Sequence, residues 1–208
     1  MTTKRPGRRE VAAAETRREI LATARRLFAE HGYASTSVQQ VAEESGVAVQ
    51  TIYSSVGSKA ALVLALNDLI DEESDVARLS AGMFEETDPS QMIAKGVHLT
   101  RQLNERCGDL IGVLLSAAPS EPDAAAALAD GMGRHQAGAS YLAQRLAEMG
   151  VLPAGATPER AGTAFAMMTS AASWQQLTHD AGWTFDEAEA WLAESLTQLL
   201  LGQIRQTA

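Results

Sequence analysis

The stretch Val41-Ala-Glu-Glu-Ser-Gly-Val-Ala-Val-Gln-Thr-Ile-Tyr53 decides how this chain is read. Val38, Val41 and Ala42 fall at helical spacing, so the segment before Gly46 predicts a helix with one buried face. Ala42 is small enough for a following helix to cross over it. Gly46 permits the positive φ that a tight turn between helices needs. Beyond it, Val49, Ile52, Tyr53 and Val56 predict a short helix from about Ala48 to Val56. Val47 and Ile52 plug the core between the two helices. Val49, Gln50, Thr51, Ser54 and Ser55 are left pointing outward. The pattern is a helix-turn-helix. A helix with short polar groups outside can enter a DNA major groove about 12 Å wide. The same spacing also occurs in helix pairs that merely pack, so the pattern alone leaves that alternative open.

Working outward, the chain reads as helical nearly throughout. Alternating Val/Thr/Tyr runs and Asn-Gly hairpin turns are absent. Thr16-Arg-Arg-Glu19 has capping-box spacing and predicts the start of the first helix, with Ile20, Leu21, Ala24, Leu27 and Phe28 buried and Gly32 as its stop. Thr36 followed by Gln39 repeats that spacing before the second helix. A long fourth helix is expected from Ser58 to Leu79, then a connection over Ala81 to Ser90 that holds Gly82 and Pro89. Helices follow at about Pro89–Arg106, Asp109–Ala118 and Asp123–Met149. Pro158 after Thr157 opens one expected to run to His179, and Thr184-Phe-Asp-Glu187 caps the last. The expectation is an all-α fold of about nine helices. Residues 1–60 would form an arm and a three-helix DNA-binding domain, and residues 61–208 a helical ligand-binding and dimerisation domain.

Charge is distributed along the same division. The 208 residues carry a net charge of -9. Residues 1–60 hold nine Lys and Arg against six Asp and Glu, a balance of +3, while the rest of the chain holds eight against twenty, a balance of -12. A basic head on an acidic body is the asymmetry expected when only one end meets phosphate; a solvated mixed-charge surface is the plain alternative.

Other classes fit less well. The single cysteine, Cys107, excludes an internal disulfide framework and a Cys-rich metal site, and reads as a buried inert thiol. His31, His98, His135 and His179 lack metal-ligand spacing; no Gly-rich phosphate loop or nucleophile elbow is present. No metal, cofactor or enzymatic activity is expected. The start of the chain is polar and basic with no apolar run, so a cytoplasmic protein is expected. The longest uncharged run, Ala161–Thr178, carries Thr163, Thr169, Ser170, Gln175 and Gln176, too polar for hydrocarbon, and reads as a helix buried in protein.

From about Thr16 to Leu66 the sequence resembles the DNA-binding region of the TetR/AcrR family of transcriptional regulators. The resemblance rests on Ile20, Ala24, Leu27, Phe28, Gly32, Tyr33, Thr36, Ser37, Val38, Val41, Ala42, Ser45, Gly46, Val47, Thr51, Ile52, Tyr53, Ser58, Lys59 and Leu62. The block GVAVQTIYSSVGSKAAL is its most specific part. The sequence departs from the family pattern in three places. Ala48 stands where Ser is common, Ser54-Ser55-Val56 where a bulky or basic pair and an aromatic are common, and Ala61 where an acidic residue is usual.

The resemblance implies roles. Thr36, Ser37 and Gln40 would meet phosphate at the start of the second helix. Val49, Gln50 and Thr51 would face base edges, with Gln50 the best reader because its amide can pair with adenine N6 and N7. Thr51 would touch a thymine methyl, and Ser54 is a further candidate for DNA contact. Tyr53 would give its hydroxyl to phosphate with its ring packed inward. Lys59 would bind phosphate as a point charge. Arg5 and Arg8, with Lys4 and Arg9, form a basic arm that would reach a minor groove.

The family's later helices bind a small molecule and form a dimer. His98, Arg101, Met132, His135, Met168, Trp174 and Gln175 are candidates for the ligand site: Met and Trp suit an adaptable apolar cavity, and His98 and Arg101 share a face. Phe165, Ala172, Trp191, Leu192, Leu196 and Leu199 are candidates for a two-fold helical interface, or for the chain's own core. The function implied is a ligand-responsive regulator, a repressor that binds a palindromic operator as a homodimer and is released by a small molecule. Double-stranded DNA, the effector and a second copy are its partners, and no membrane is. The other reading is a helical small-molecule-binding protein or enzyme that has lost operator binding.

Overall fold

The first helix begins eight residues before the Thr16 cap site, at Arg8, because nothing in the alanine-rich run Val11–Ala14 opposes a helix. Thr16 therefore sits inside the helix, and its hydroxyl donates back to the Ala12 carbonyl at 3.0 Å. The computed structural model describes residues 7–73 and 76–202. Among them are ten α-helices and no strand: α1 Arg8–His31, α2 Val38–Ser45, α3 Val49–Ser55, α4 Lys59–Glu73, α5 Val76–Phe84, α6 Pro89–Ala117, α7 Pro122–Glu148, α8 Pro158–Met168, α9 Ala171–Gln175 and α10 Phe185–Leu201. A π-helical turn, Gln176–Asp180, follows α9. The all-α expectation stands. No single helix among the described residues is long and apolar enough to cross a membrane.

Several helix bounds differ from expectation. The second capping box lies one residue later, with Ser37 and Gln40 as its partners. The long helix expected over Ser58–Leu79 is instead described as α4, to Glu73, and α5, from Val76, which runs on to Phe84 into the expected connection. Helix α6 does not stop near Arg106. It passes through Gly108 and Gly112, because Cys107, Leu110, Val113, Leu114 and Ala117 keep one face buried. Packing outweighs the cost of a helical glycine, about 1 kcal/mol. The expected single helix over Pro158–His179 is instead divided. Ser170 caps α9, its hydroxyl accepting from the Ser173 amide at 3.2 Å, while Thr169 Oγ1 donates to the Phe165 carbonyl at 2.8 Å. The Thr184–Glu187 box forms as expected, with the Glu187 amide donating to Thr184 Oγ1 at 3.2 Å and the Thr184 amide to Glu187 Oε2 at 2.8 Å.

The chain divides into two compact units. One runs through Ile70 and takes in Asp109–Ala129; the other holds Asp71–Gly108 and the chain from Asp130 on. In the first unit, Ile20, Ala24, Leu27 and Phe28 of α1 are buried with Val41, Ala42, Ile52, Leu62 and Leu66. Arg25 ties α1 to α6 through both oxygens of Asp109, at 2.5 and 2.8 Å. In the second unit, Met92, Ile93 and Val97 of α6 form a core with Leu142 and Leu146 of α7, Phe165 of α8, Trp174 of α9, and Leu192, Leu196 and Leu200 of α10. Gly96 is a point of close approach there: a Cβ would stand 2.8 Å from Phe165 Cζ and 3.1 Å from Leu142 Cδ1.

Candidate nucleic-acid interface

The turn between α2 and α3 is built as its sequence requires. Gly46 adopts the left-handed conformation at φ 69°, and the Val47 amide closes the turn by donating to the Ala42 carbonyl at 3.0 Å. Ser45 is buried and donates to the Val41 carbonyl at 2.6 Å. Ile52 is fully buried and fixes which face of α3 turns inward. Val49, Gln50, Tyr53 and Ser54 are consequently exposed and Thr51 half-buried. Ser54 Oγ donates to the Thr51 carbonyl at 3.1 Å. Tyr53 is 52% exposed, so its ring does not pack inward as expected. Ala48 gives α3 no side-chain cap.

At the start of α2 the expected phosphate contacts separate. Ser37 and Gln40 are exposed and cap one another: the Gln40 amide donates to Ser37 Oγ at 3.2 Å, and the Ser37 amide to Gln40 Oε1 at 2.7 Å. Thr36 is a correction. It is buried, and its hydroxyl lies 3.2 Å from the Leu27 carbonyl and 3.0 Å from that of Gly32, so it closes the end of α1 and does not face solvent. Arg8 is also corrected, from a free arm to the first residue of α1, where it is exposed. Arg5 lies outside the described residues.

Lys59 opens α4 with its ammonium 3.9 Å from the centre of the Tyr33 ring. The Tyr33 hydroxyl donates to Glu121 Oε1 at 2.5 Å. Burial pushes the Lys59 pKa down, against the pull of the Glu121 charge. Burial, then the bond to Glu121, pushes the Tyr33 phenol well above its ordinary range. Other head cations also face protein. Arg26 pairs with Glu44 and with Glu30, the first bond raising its pKa. Arg17 of α1 donates to the Ser55 carbonyl at 2.7 Å. Sequence reasoning passed over Arg17, although it extends the buried stripe of Ile20, Leu21 and Ala24 by one turn.

The candidate effector residues fall into two groups in the second unit. His98 Nδ1 lies 2.8 Å from Glu189 Oε1, and Arg101 Nη1 lies 2.5 Å from Glu189 Oε2 and 2.6 Å from Asp186 Oδ1. The shared face of His98 and Arg101 thus meets carboxylates of α10, and the bond to Glu189 raises the Arg101 pKa. His135 Nε2 lies 3.0 Å from the Ala166 carbonyl and 3.4 Å from Thr169 Oγ1. Trp174 is buried, donates from Nε1 to Thr100 Oγ1 at 3.1 Å, and stacks on Phe185 with ring centres 5.7 Å apart. Met168 packs half-buried against the same core. Met132 and Gln175 are exposed.

The dimer candidates also separate. Phe165 of α8 and Leu192 and Leu196 of α10 are buried in the chain's own core, and helical spacing turns the two leucines away from Trp191 and Leu199 on the same helix. Trp191, Leu199 and Ala172 are exposed. Trp191 meets Trp183 edge-on at 5.6 Å, beside an open depression of about 430 Å³ lined by Glu187, Ala190 and Glu194. Among the described residues no group of three or more His, Cys, Asp or Glu is arranged to hold a metal ion.

Comparison with known proteins centres on the same helices. Residues 20–66 match the family model described as bacterial regulatory proteins, tetR family. Over 77 residues the chain is 38% identical to the HTH-type transcriptional regulator TtgR of Pseudomonas putida, a match covering 37% of each chain. The fold extends further. A transcriptional regulator from Saccharomonospora viridis, solved with choline, has a TM-score of 0.72 at 21% identity, over 90% of this chain and 98% of that one. The TetR family regulator PfmR from Thermus thermophilus has a TM-score of 0.70 at 23% identity, over 99% of this chain and 100% of that one. Residues 20–66 thus match the DNA-binding region of the tetR family of bacterial regulatory proteins, and the likeness to these solved structures extends the all-α fold along the rest of the chain.

Proposed function

We propose that the protein is a ligand-responsive DNA-binding transcriptional regulator, a repressor that binds a palindromic operator as a homodimer and leaves it when a small molecule binds. The helix-turn-helix of the first unit is its DNA-binding head, and the second unit carries effector binding and dimerisation. The observation that carries the reading is helix α3. Its inner face is seated on Ile52 behind the Gly46 turn, and its outer face presents Val49, Gln50, Tyr53 and Ser54 to solvent. That arrangement suits insertion into a major groove. Gln50 and Thr51 read bases. Ser37, Tyr53 and Lys59 contact phosphate, and Arg8, with Arg5 before it, supplies further charge.

Two such heads in a dimer would reach successive major grooves roughly 34–36 Å apart. The choline held by the Saccharomonospora viridis protein supports the effector half of the reading. In this chain we assign that role to the second unit, around His98, Arg101, His135, Met168 and Trp174. The effector needs only to prefer the released state by about 1–3 kcal/mol per coupled site.

The test is fluorescence anisotropy of labelled DNA flanking the gene, titrated with protein at two salt concentrations. Saturable binding whose log affinity falls linearly with log salt is expected. If neither that DNA nor a random-sequence selection yields a bound site, the regulator reading falls. A helical small-molecule-binding protein then takes its place.

A further inference from the structure

Helix α3 is only seven residues long and has one buried residue, Ile52. A single apolar anchor sets which face points inward but leaves the helix free to tilt and fray about it. Its N-terminus has no side-chain cap, because position 48 is alanine. At its C-terminus, the Ile52 carbonyl accepts from the amides of Val56 and Gly57, at 2.8 and 3.1 Å. The carbonyl of Ser55, the last helical residue, instead accepts from the Arg17 guanidinium at 2.7 Å, half-buried and from a different helix. A cation at this end also opposes the negative pole of the helix.

We propose that Arg17 is a positioning residue: it clamps the C-terminus of α3 to α1 and so fixes the angle at which the recognition helix is offered to DNA. The inference rests on the DNA-binding reading and deepens it. It assigns work to a residue that lies before the matched family region, which begins at residue 20. Arg17 acts through Ser55 and the α3 backbone without touching phosphate. Its loss therefore lowers affinity by changing the helix, not by removing a counterion-releasing contact.

The experiment compares Arg17→Met and Arg17→Lys with the unaltered protein in two assays. The first is amide hydrogen exchange without DNA. In Arg17→Met, protection of the Val56 and Gly57 amides should fall while that of α1 and α2 holds, and Arg17→Lys should restore part of it. The second is the salt-dependent anisotropy titration. Losing one charge-assisted hydrogen bond should weaken Arg17→Met by about tenfold. The slope of log affinity against log salt should stay that of the unaltered protein. A slope reduced by about 1 would make Arg17 a phosphate contact and overturn the proposal. Unchanged exchange at Val56 and Gly57 would overturn it equally. If the unaltered protein binds no DNA, the functional reading fails, and the exchange assay still decides whether Arg17 clamps α3.

Discussion

Gln50 lies on the recognition helix and Lys59 opens the helix after it, and the two answer to different neighbours. Gln50 is exposed on the outer face of α3, whereas Lys59 is half-buried against the Tyr33 ring. Gln50→Ala should relax the preference at one base pair by about 1–3 kcal/mol, read by competition with variant operators. Lys59→Ala should weaken binding to every sequence and lower the salt slope by about 1. Tyr33 makes a separate prediction. Its folded-state pKa lies above that of the unfolded chain, so the folded chain keeps the phenol proton to higher pH. The stability this group contributes is fully present below about pH 10 and is lost as pH rises beyond it. Thermal midpoints measured across that range should decline more steeply for the unaltered protein than for Tyr33→Phe.

At the scale of elements, capping was more legible than helix length. The Thr184–Glu187 box and the Pro158 start could be read directly, because a cap is a contact between residues three apart. The shift from Thr36 to Ser37 was harder to read. Two adjacent hydroxyls each fit the spacing, and the burial of Thr36 beneath the end of α1 decides between them. The continuity of α6 was also hidden, since it depends on which of its faces is buried by packing. The approach at Gly96 shows the consequence. Gly96→Ala would favour the helix by propensity, yet its methyl would press on Phe165 and Leu142. Overpacking of this kind costs about 1–3 kcal/mol, so the denaturant midpoint of Gly96→Ala should fall despite the better helix former.

On the scale of the whole molecule, the candidate interface residues on α8 and α10 fall into two classes. Phe165, Leu192 and Leu196 hold the second unit together, while Trp191 and Leu199 remain exposed. Trp191→Glu combined with Leu199→Glu should abolish the proposed dimer and leave a folded monomer, read by sedimentation together with circular dichroism. Leu196→Glu should instead unfold the chain, because it buries a charge with no partner. If the double variant stays dimeric, the interface lies on another face.

The sequence by itself determined the all-α class, the helix-turn-helix at Val41–Tyr53 and its resemblance to the tetR family over residues 20–66. These follow from local spacing, from a glycine where positive φ is needed, and from short-range caps. Only the tertiary structure decided that Thr36 closes α1, that Lys59 rests on Tyr33, that Glu189 receives His98 and Arg101, and that Arg17 reaches Ser55. Each of these joins residues from different elements. Periodicity tells which side of a helix is buried, but the partner buried against it is chosen by how the helices cross.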